Sequence, residues 1–137
     1  MKTILSVVIA SFGLLFTACN KNQHQVIKLE GKWNVISADV QGYAEMDPDM
    51  IYEFEYCKLK KEDYCDFSIH NFDTNEITNG LYSVKEHGMT VSMTVSSGFG
   101  FEYREYDIVK LSNRRLILVD KNAPTGAFSR IELKAVK

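Results

Sequence analysis

The chain has 137 residues, 45% hydrophobic and 25% charged, with eight glycines and two prolines. That is the length of one domain, and it excludes a multidomain enzyme. Sixteen Lys and Arg against eighteen Asp and Glu give a formal charge of −2, so no basic excess is offered to nucleic acid.

Met1-Lys2-Thr3 is a short positive start, and Ile4 to Phe16 is a thirteen-residue apolar run broken only by Ser6, Ser11 and Gly13. A membrane-spanning helix needs about 20 apolar residues, so this run has the length of a signal-peptide core. Phe16-Thr17-Ala18-Cys19 follows directly and resembles the lipobox of bacterial lipoproteins, with Phe16 at the place of the usual Leu. The resemblance implies that residues 1–18 are a cleaved signal peptide. It also implies that the Cys19 thiol carries a diacylglyceryl thioether, with a further acyl chain such as palmitate on the freed amine. Two or more acyl chains hold a protein on a membrane stably, where one does so marginally. The membrane is thus the first expected partner. An ordinary secretory signal ending beside a cysteine is the competing reading.

Cleavage leaves 119 residues of net charge −3. Residues 19–29 are expected to be the lipidated cysteine and a tether, because Asn20 to Gln25 is polar and lacks apolar periodicity. Asn20, rather than Asp, after the cysteine favours outer-membrane sorting under the proteobacterial rule. No acidic run follows of the kind that signals surface export in Bacteroidetes. The expected location is the cell envelope, lipid-anchored at the outer membrane, with the leaflet open.

From residue 30 the dominant hydrophobic period is two. Tyr52, Phe54 and Tyr56 alternate with Glu53 and Glu55, and Gly80, Tyr82 and Val84 with Leu81, Ser83 and Lys85. Met89, Val91, Met93 and Val95 alternate with Thr90, Ser92, Thr94 and Ser96. Ile131, Leu133 and Ala135 alternate with Arg130, Glu132 and Lys134. Turn residues separate the runs at Gln41-Gly42, Lys60 to Asp63, Asp73 to Asn75, His87-Gly88, Ser97 to Gly100, Ser112-Asn113 and Asn122 to Gly126. Eight strands are predicted, at about 32–41, 51–59, 64–72, 77–86, 89–97, 101–111, 115–121 and 127–136. No window supports a helix of three turns. The predicted fold is all-β: an eight-stranded antiparallel up-and-down β-barrel over 30–137, closed because closure removes exposed edges. An open sandwich of the same strands is the alternative.

Leu29-Glu30-Gly31-Lys32-Trp33-Asn34-Val35 resembles the G-x-W signature, here Gly31 and Trp33, that opens the first strand of lipocalins and fatty-acid-binding proteins. The resemblance implies that Trp33 closes the narrow end of the barrel under a cationic side chain from the last strand. Arg130 and Lys134 are the candidates, for a cation–π contact of about 0.5–2 kcal/mol. The predicted last strand runs to residue 136, so no C-terminal helix of the lipocalin kind is expected. The nearer resemblance is to the short lipocalin-like lipoproteins of Bacteroidetes, with their lipobox and G-K-W opening.

Cys57 and Cys65 flank the Lys60 to Asp63 turn in an oxidising compartment, so a disulfide is expected. Register raises a conflict. Setting Cys57 opposite Cys65 puts Phe54 opposite Ser68, whereas a slip by one gives the better apolar pairs Phe54 with Phe67 and Tyr52 with Ile69. The slipped register aims the sulfurs at opposite faces. A β-bulge beside the turn would reconcile the two, and free thiols remain the alternative. Cys57, Cys65 and His70 lack zinc-ligand spacing.

No nucleophile elbow, P-loop, dinucleotide fingerprint or paired-histidine metal motif is present. Glu45, Asp47 and Asp49 around Pro48 read as a solvated turn rather than a calcium loop. The expectation is a non-catalytic protein without cofactor or metal. Trp33, Tyr52, Phe54, Tyr56, Phe67, Tyr82, Met89, Val91, Met93, Tyr106 and Ile108 are the predicted barrel lining, and all but Trp33 are candidate ligand contacts. Either they enclose a pocket for a small hydrophobic ligand, which needs a cavity of about 300 Å³, or they meet across the axis as a packed core. In the second case the protein is an interaction or inhibitor module, with an envelope protein as its partner and loop tips as its contact. Phe99, between Gly98 and Gly100, is the aromatic that periodicity leaves unburied.

Overall fold

The structure, a computed structural model, describes residues 20–41 and 45–137. The expected signal peptide and the expected acylation of Cys19 lie outside the described residues. Helix α1 (Lys21–Leu29) leads into β1 (Gly31–Val40), β2 (Glu45–Met46) and β3 (Met50–Phe54). After these come β4 (Cys65–Asn71), β5 (Glu76–Lys85), β6 (Thr90–Ser97) and β7 (Gly100–Leu111). The chain finishes with β8 (Arg115–Val119) and β9 (Phe128–Ala135). β1 pairs antiparallel with both β2 and β3, each strand from β3 to β8 pairs antiparallel with the next, and β9 returns to β1.

The sheet is therefore a closed up-and-down barrel, as expected. Two-residue β2 and β3 lie on the same edge of β1, through Ala38↔Met46 and Asn34↔Ile51. They are two pieces of one stave, interrupted at Asp47-Pro48-Asp49, where proline has no N–H for a ladder. The barrel has eight staves.

One end is shut. Val26 and Leu29 of α1 are fully buried in the same core as Phe54, Tyr82, Val91, Leu116, Leu118, Ile131 and Leu133. Phe54 and Tyr82 meet edge to face at 5.1 Å, and Tyr52 and Phe67 at 5.5 Å. The Tyr82 hydroxyl donates to the Glu55 carbonyl at 2.6 Å, satisfying its one buried polar atom.

The tether reading of residues 19–29 is corrected from Lys21 onward. Asn20 caps the helix, its side chain accepting from the Gln23 N–H at 3.2 Å. Asn22, Gln23 and Gln25 are fasteners, each reaching a loop backbone at the closed end. Gln23 donates to the Cys57 carbonyl and accepts from the Leu59 N–H, both at 2.9 Å. Asn22 accepts from the Gly88 N–H at 2.7 Å, and Gln25 donates to the Gly88 carbonyl at 3.0 Å. Only two apolar side chains face inward over nine residues, which is why hydrophobic periodicity missed this helix.

The register conflict resolves without a bulge. β3 and β4 take the slipped pairing, Phe54↔Phe67 and Tyr52↔Ile69. The Cys57–Cys65 disulfide nevertheless forms, with α-carbons 5.3 Å apart. It can do so because β3 stops at Phe54, so Cys57 is in irregular backbone and free of the strand's alternation. The same early stop corrects Tyr56, which is 44% exposed.

Candidate functional site

The other end of the barrel holds an open cavity of about 230 Å³. Its floor is Tyr52, Phe67, Met93 and Tyr106, and its rim is Met50, Ile69, Val95, Glu102, Arg104 and the backbone turn that ends in Phe128. Strand alternation places most of these. Val95 faces Glu102, Met93 faces Arg104 and Val91 faces Tyr106 across β6 and β7, so one inward row on β7 runs Tyr106, Arg104, Glu102.

That row inverts the usual pattern. Near the mouth, β7 turns its charges inward and its aromatics, Phe101 and Tyr103, to solvent. Arg104 and Glu102 form an ion pair at the mouth, with side chains 22% and 46% exposed. A barrel built only for packing would place apolar groups there. Departures from local patterning of this kind concentrate where a site is needed.

Burial pushes the Tyr106 hydroxyl up to about 12, with the Asp120 charge adding to the rise and Arg104 opposing it. Burial drives Tyr52 further above the usual phenol range. Both therefore stay protonated at neutral pH and keep a donor at the cavity wall. Among the described residues neither hydroxyl has a hydrogen-bond partner. The cavity thus combines apolar walls, two neutral phenols and one guanidinium.

The predicted lining divides in three. Tyr52, Phe67, Met93 and Tyr106 line the cavity. Phe54, Tyr82 and Val91 are fully buried beneath it, and half-buried Ile108 packs against the same core; these are corrections from ligand contact to packed floor. Tyr56 and Met89 are outside, Met89 being 60% exposed after the turn Glu86–Gly88. β6 begins at Thr90, so the inward row read from Met89 starts at Val91, and the intervening Thr90 and Ser92 are buried as well. The interior is packed towards the closed end and hollow at the open end.

Arg104 and Glu102 were missed because charges at inward positions carry no hydrophobic signal. Counting back in twos from Tyr106 would have found them. Phe128 and Met50 were missed because they close the mouth at strand ends.

The cation–π partner of Trp33 is also corrected. Arg130 engages Glu132 and Lys134 is exposed, opposite Asn34 and Arg115, while Trp33 itself faces Ala135 across β1 and β9. The indole Nε1–H donates to the Leu29 carbonyl.

Phe99 is fully exposed, as its place at the β6–β7 tip predicts. It belongs to an outer apolar face with Phe101, Tyr103, Ile77 and Leu81, running across small Thr94 and Ser96 of β6. Among the described residues, no group of His, Cys, Asp and Glu is gathered so as to hold a metal ion. No family model, no curated protein and no solved structure matches the chain.

Proposed function

We propose that this chain is a lipid-anchored lipoprotein of the bacterial cell envelope, lipocalin-like in type, whose barrel binds a small hydrophobic molecule without catalysis. The anchor reading rests on Phe16-Thr17-Ala18-Cys19 after an apolar core, and the type on Gly31-Lys32-Trp33 opening the first stave. Asn20 favours the outer membrane.

The observation that carries the ligand reading is the cavity at the open end. At about 230 Å³ it falls short of the ~300 Å³ typical of drug-sized sites. A cavity of about 150 Å³ holds benzene, so the matching ligand is a substituted ring or the end of an acyl chain. A hydrogen-bond acceptor on that ligand would meet Tyr52, Tyr106 or Arg104. Native mass spectrometry on residues 20–137, isolated without detergent from the native host, tests the reading. A reproducible extra mass released on denaturation is expected; an unliganded mass, with thermal stability unmoved by small aromatic and short-chain acids, overturns it.

A second reading has its own observation. The outer face around Phe99 and Phe101 suits an interaction module that meets an envelope protein through its β6–β7 tip. Phe99→Ser with Phe101→Ser would abolish partner capture under that reading and leave a cavity ligand in place.

A further inference from the structure

We propose that the closed end of the barrel is a docking face for anionic phospholipid headgroups, so that the anchored protein stands on α1 with its cavity turned to the aqueous space. This rests on the reading that Cys19 is acylated. Asn20, the cap of α1, is the next residue in the chain, and consecutive α-carbons are 3.8 Å apart. The acyl chains therefore emerge at the closed end, beside α1, rather than at the end of a six-residue tether.

The surface at that point is built for a lipid interface. Val26 and Leu29 take the inner face of α1, while Asn22, Gln23 and Gln25 are spent on loop backbone. What remains outward is Lys21, His24, Ile27 and Lys28, all exposed. Lys21, His24 and Lys28 stand at i, i+3 and i+7 on one face. His87 joins them from the turn Glu86–Gly88, and together with Gln25 they line a recess of about 210 Å³. Exposed Met89 follows that turn, so basic groups stand beside Ile27 and Met89 as in interfacial helices. Among the described residues, Lys21, His24, Lys28 and His87 make no ion pair.

The charge of the whole molecule has the same polarity. At the closed end, residues 20–30, 55–64, 86–89, 112–114 and 136–137 carry seven Lys and Arg against five acids. At the open end, residues 46–49, 72–75, 98–99 and 120–127 carry one lysine, Lys121, against Asp47, Asp49, Asp73 and Asp120. A negatively charged leaflet attracts the first and repels the second. Each basic residue near such a surface is worth about fivefold in partition, and the attraction dies within a Debye length.

The test uses the mature acylated protein in vesicles of phosphatidylcholine alone and of phosphatidylcholine with phosphatidylglycerol. Hydrogen exchange is followed by segment. The expected result is exchange slowed about tenfold across 21–29 and 86–89 on anionic vesicles only, with 98–101 and 121–127 unchanged. In Lys21→Glu with Lys28→Glu, whose side chains are exposed, that protection returns to the neutral-vesicle rate while the barrel core stays protected. Equal exchange on both vesicles, or protection at 98–101 instead, overturns the proposal. The intact mass separately reads the anchor. A Cys19 without lipid would overturn acylation, while vesicle protection of the same protein would still decide the docking face.

Discussion

The indole Nε1–H of Trp33 donates to the carbonyl oxygen of Leu29 at 2.7 Å, in a fully buried setting. This bond ties the first stave to the last turn of the helix beneath it, and satisfies one of the helix's C-terminal carbonyls. Trp33→Phe keeps most of the apolar area but strands that carbonyl, at a cost of about 2 kcal/mol. Arg130→Ala should leave the indole environment unchanged, since Arg130 is paired with Glu132. Denaturation midpoints for the first and tryptophan emission for the second check this. An emission shift in Arg130→Ala would restore the cation–π arrangement.

The Cys57–Cys65 bridge closes a short loop beside strands already in register. Replacing both cysteines by alanine should lower stability by about 2–3 kcal/mol in the chain-entropy model. Contacts between Phe54 and Phe67 in nuclear Overhauser spectra should survive, because β3–β4 pairing does not depend on the sulfurs. Loss of those contacts would show that the bridge sets the register.

Gly88 has φ +83°, and a Cβ there would lie 2.5 Å from Cγ of Gln25 and 3.1 Å from the Lys21 carbonyl. Gly88→Ala should therefore loosen α1 from the barrel at a cost of about 1–2 kcal/mol in backbone strain alone. The readout is local: faster hydrogen exchange in 21–29 with the β5–β8 core unchanged. Uniform acceleration would contradict a separately docked helix.

Alkali should destabilise the barrel. Tyr52, Tyr82 and Tyr106 all have folded pKa values raised by burial, Tyr106 to about 12. A raised folded value contributes stability that is complete below the unfolded phenol pKa of about 10 and is lost as pH rises through the folded value. Tyr106 alone removes about 2 kcal/mol between pH 10 and 12. Denaturant midpoints should be flat from pH 8 to 9.5 and fall above 10, less steeply in Tyr106→Phe. A midpoint flat through pH 12 would refute burial of the phenols.

Filling the cavity separates ligand binding from folding. Val95 is on the rim and half-buried, so Val95→Trp can enter the hollow with little strain. The ligand mass should vanish while the melting temperature stays within a few degrees. A retained ligand would place the binding site elsewhere, with the outer face at Phe99 next to be tested.

The barrel was legible because alternation at Tyr52–Phe54, Tyr82–Val84 and Ile131–Ala135 records which face of each strand meets the core. Phe99 was legible for the converse reason, as an aromatic between two glycines has no core to face. Helix α1 was not legible. Its stability comes from Asn and Gln side chains bonding backbone at Cys57, Leu59 and Gly88, partners up to 66 residues away. Such bonds leave no period in a sequence.

The sequence alone determined the strand inventory, the expectation of a Cys57–Cys65 bridge and the argument for an anchor at Cys19, since each rests on local pattern and covalent order. Only the tertiary structure decided where the strands end, and therefore how register and disulfide coexist and why Tyr56 and Met89 leave the interior. It also decided that the barrel is packed at one end and hollow at the other. Cavity volume depends on side chains from several staves meeting across the axis, and no single stretch of chain encodes that sum. The same closure gathers charges distant in sequence into one basic and one acidic end, a polarity that a net charge of −2 conceals.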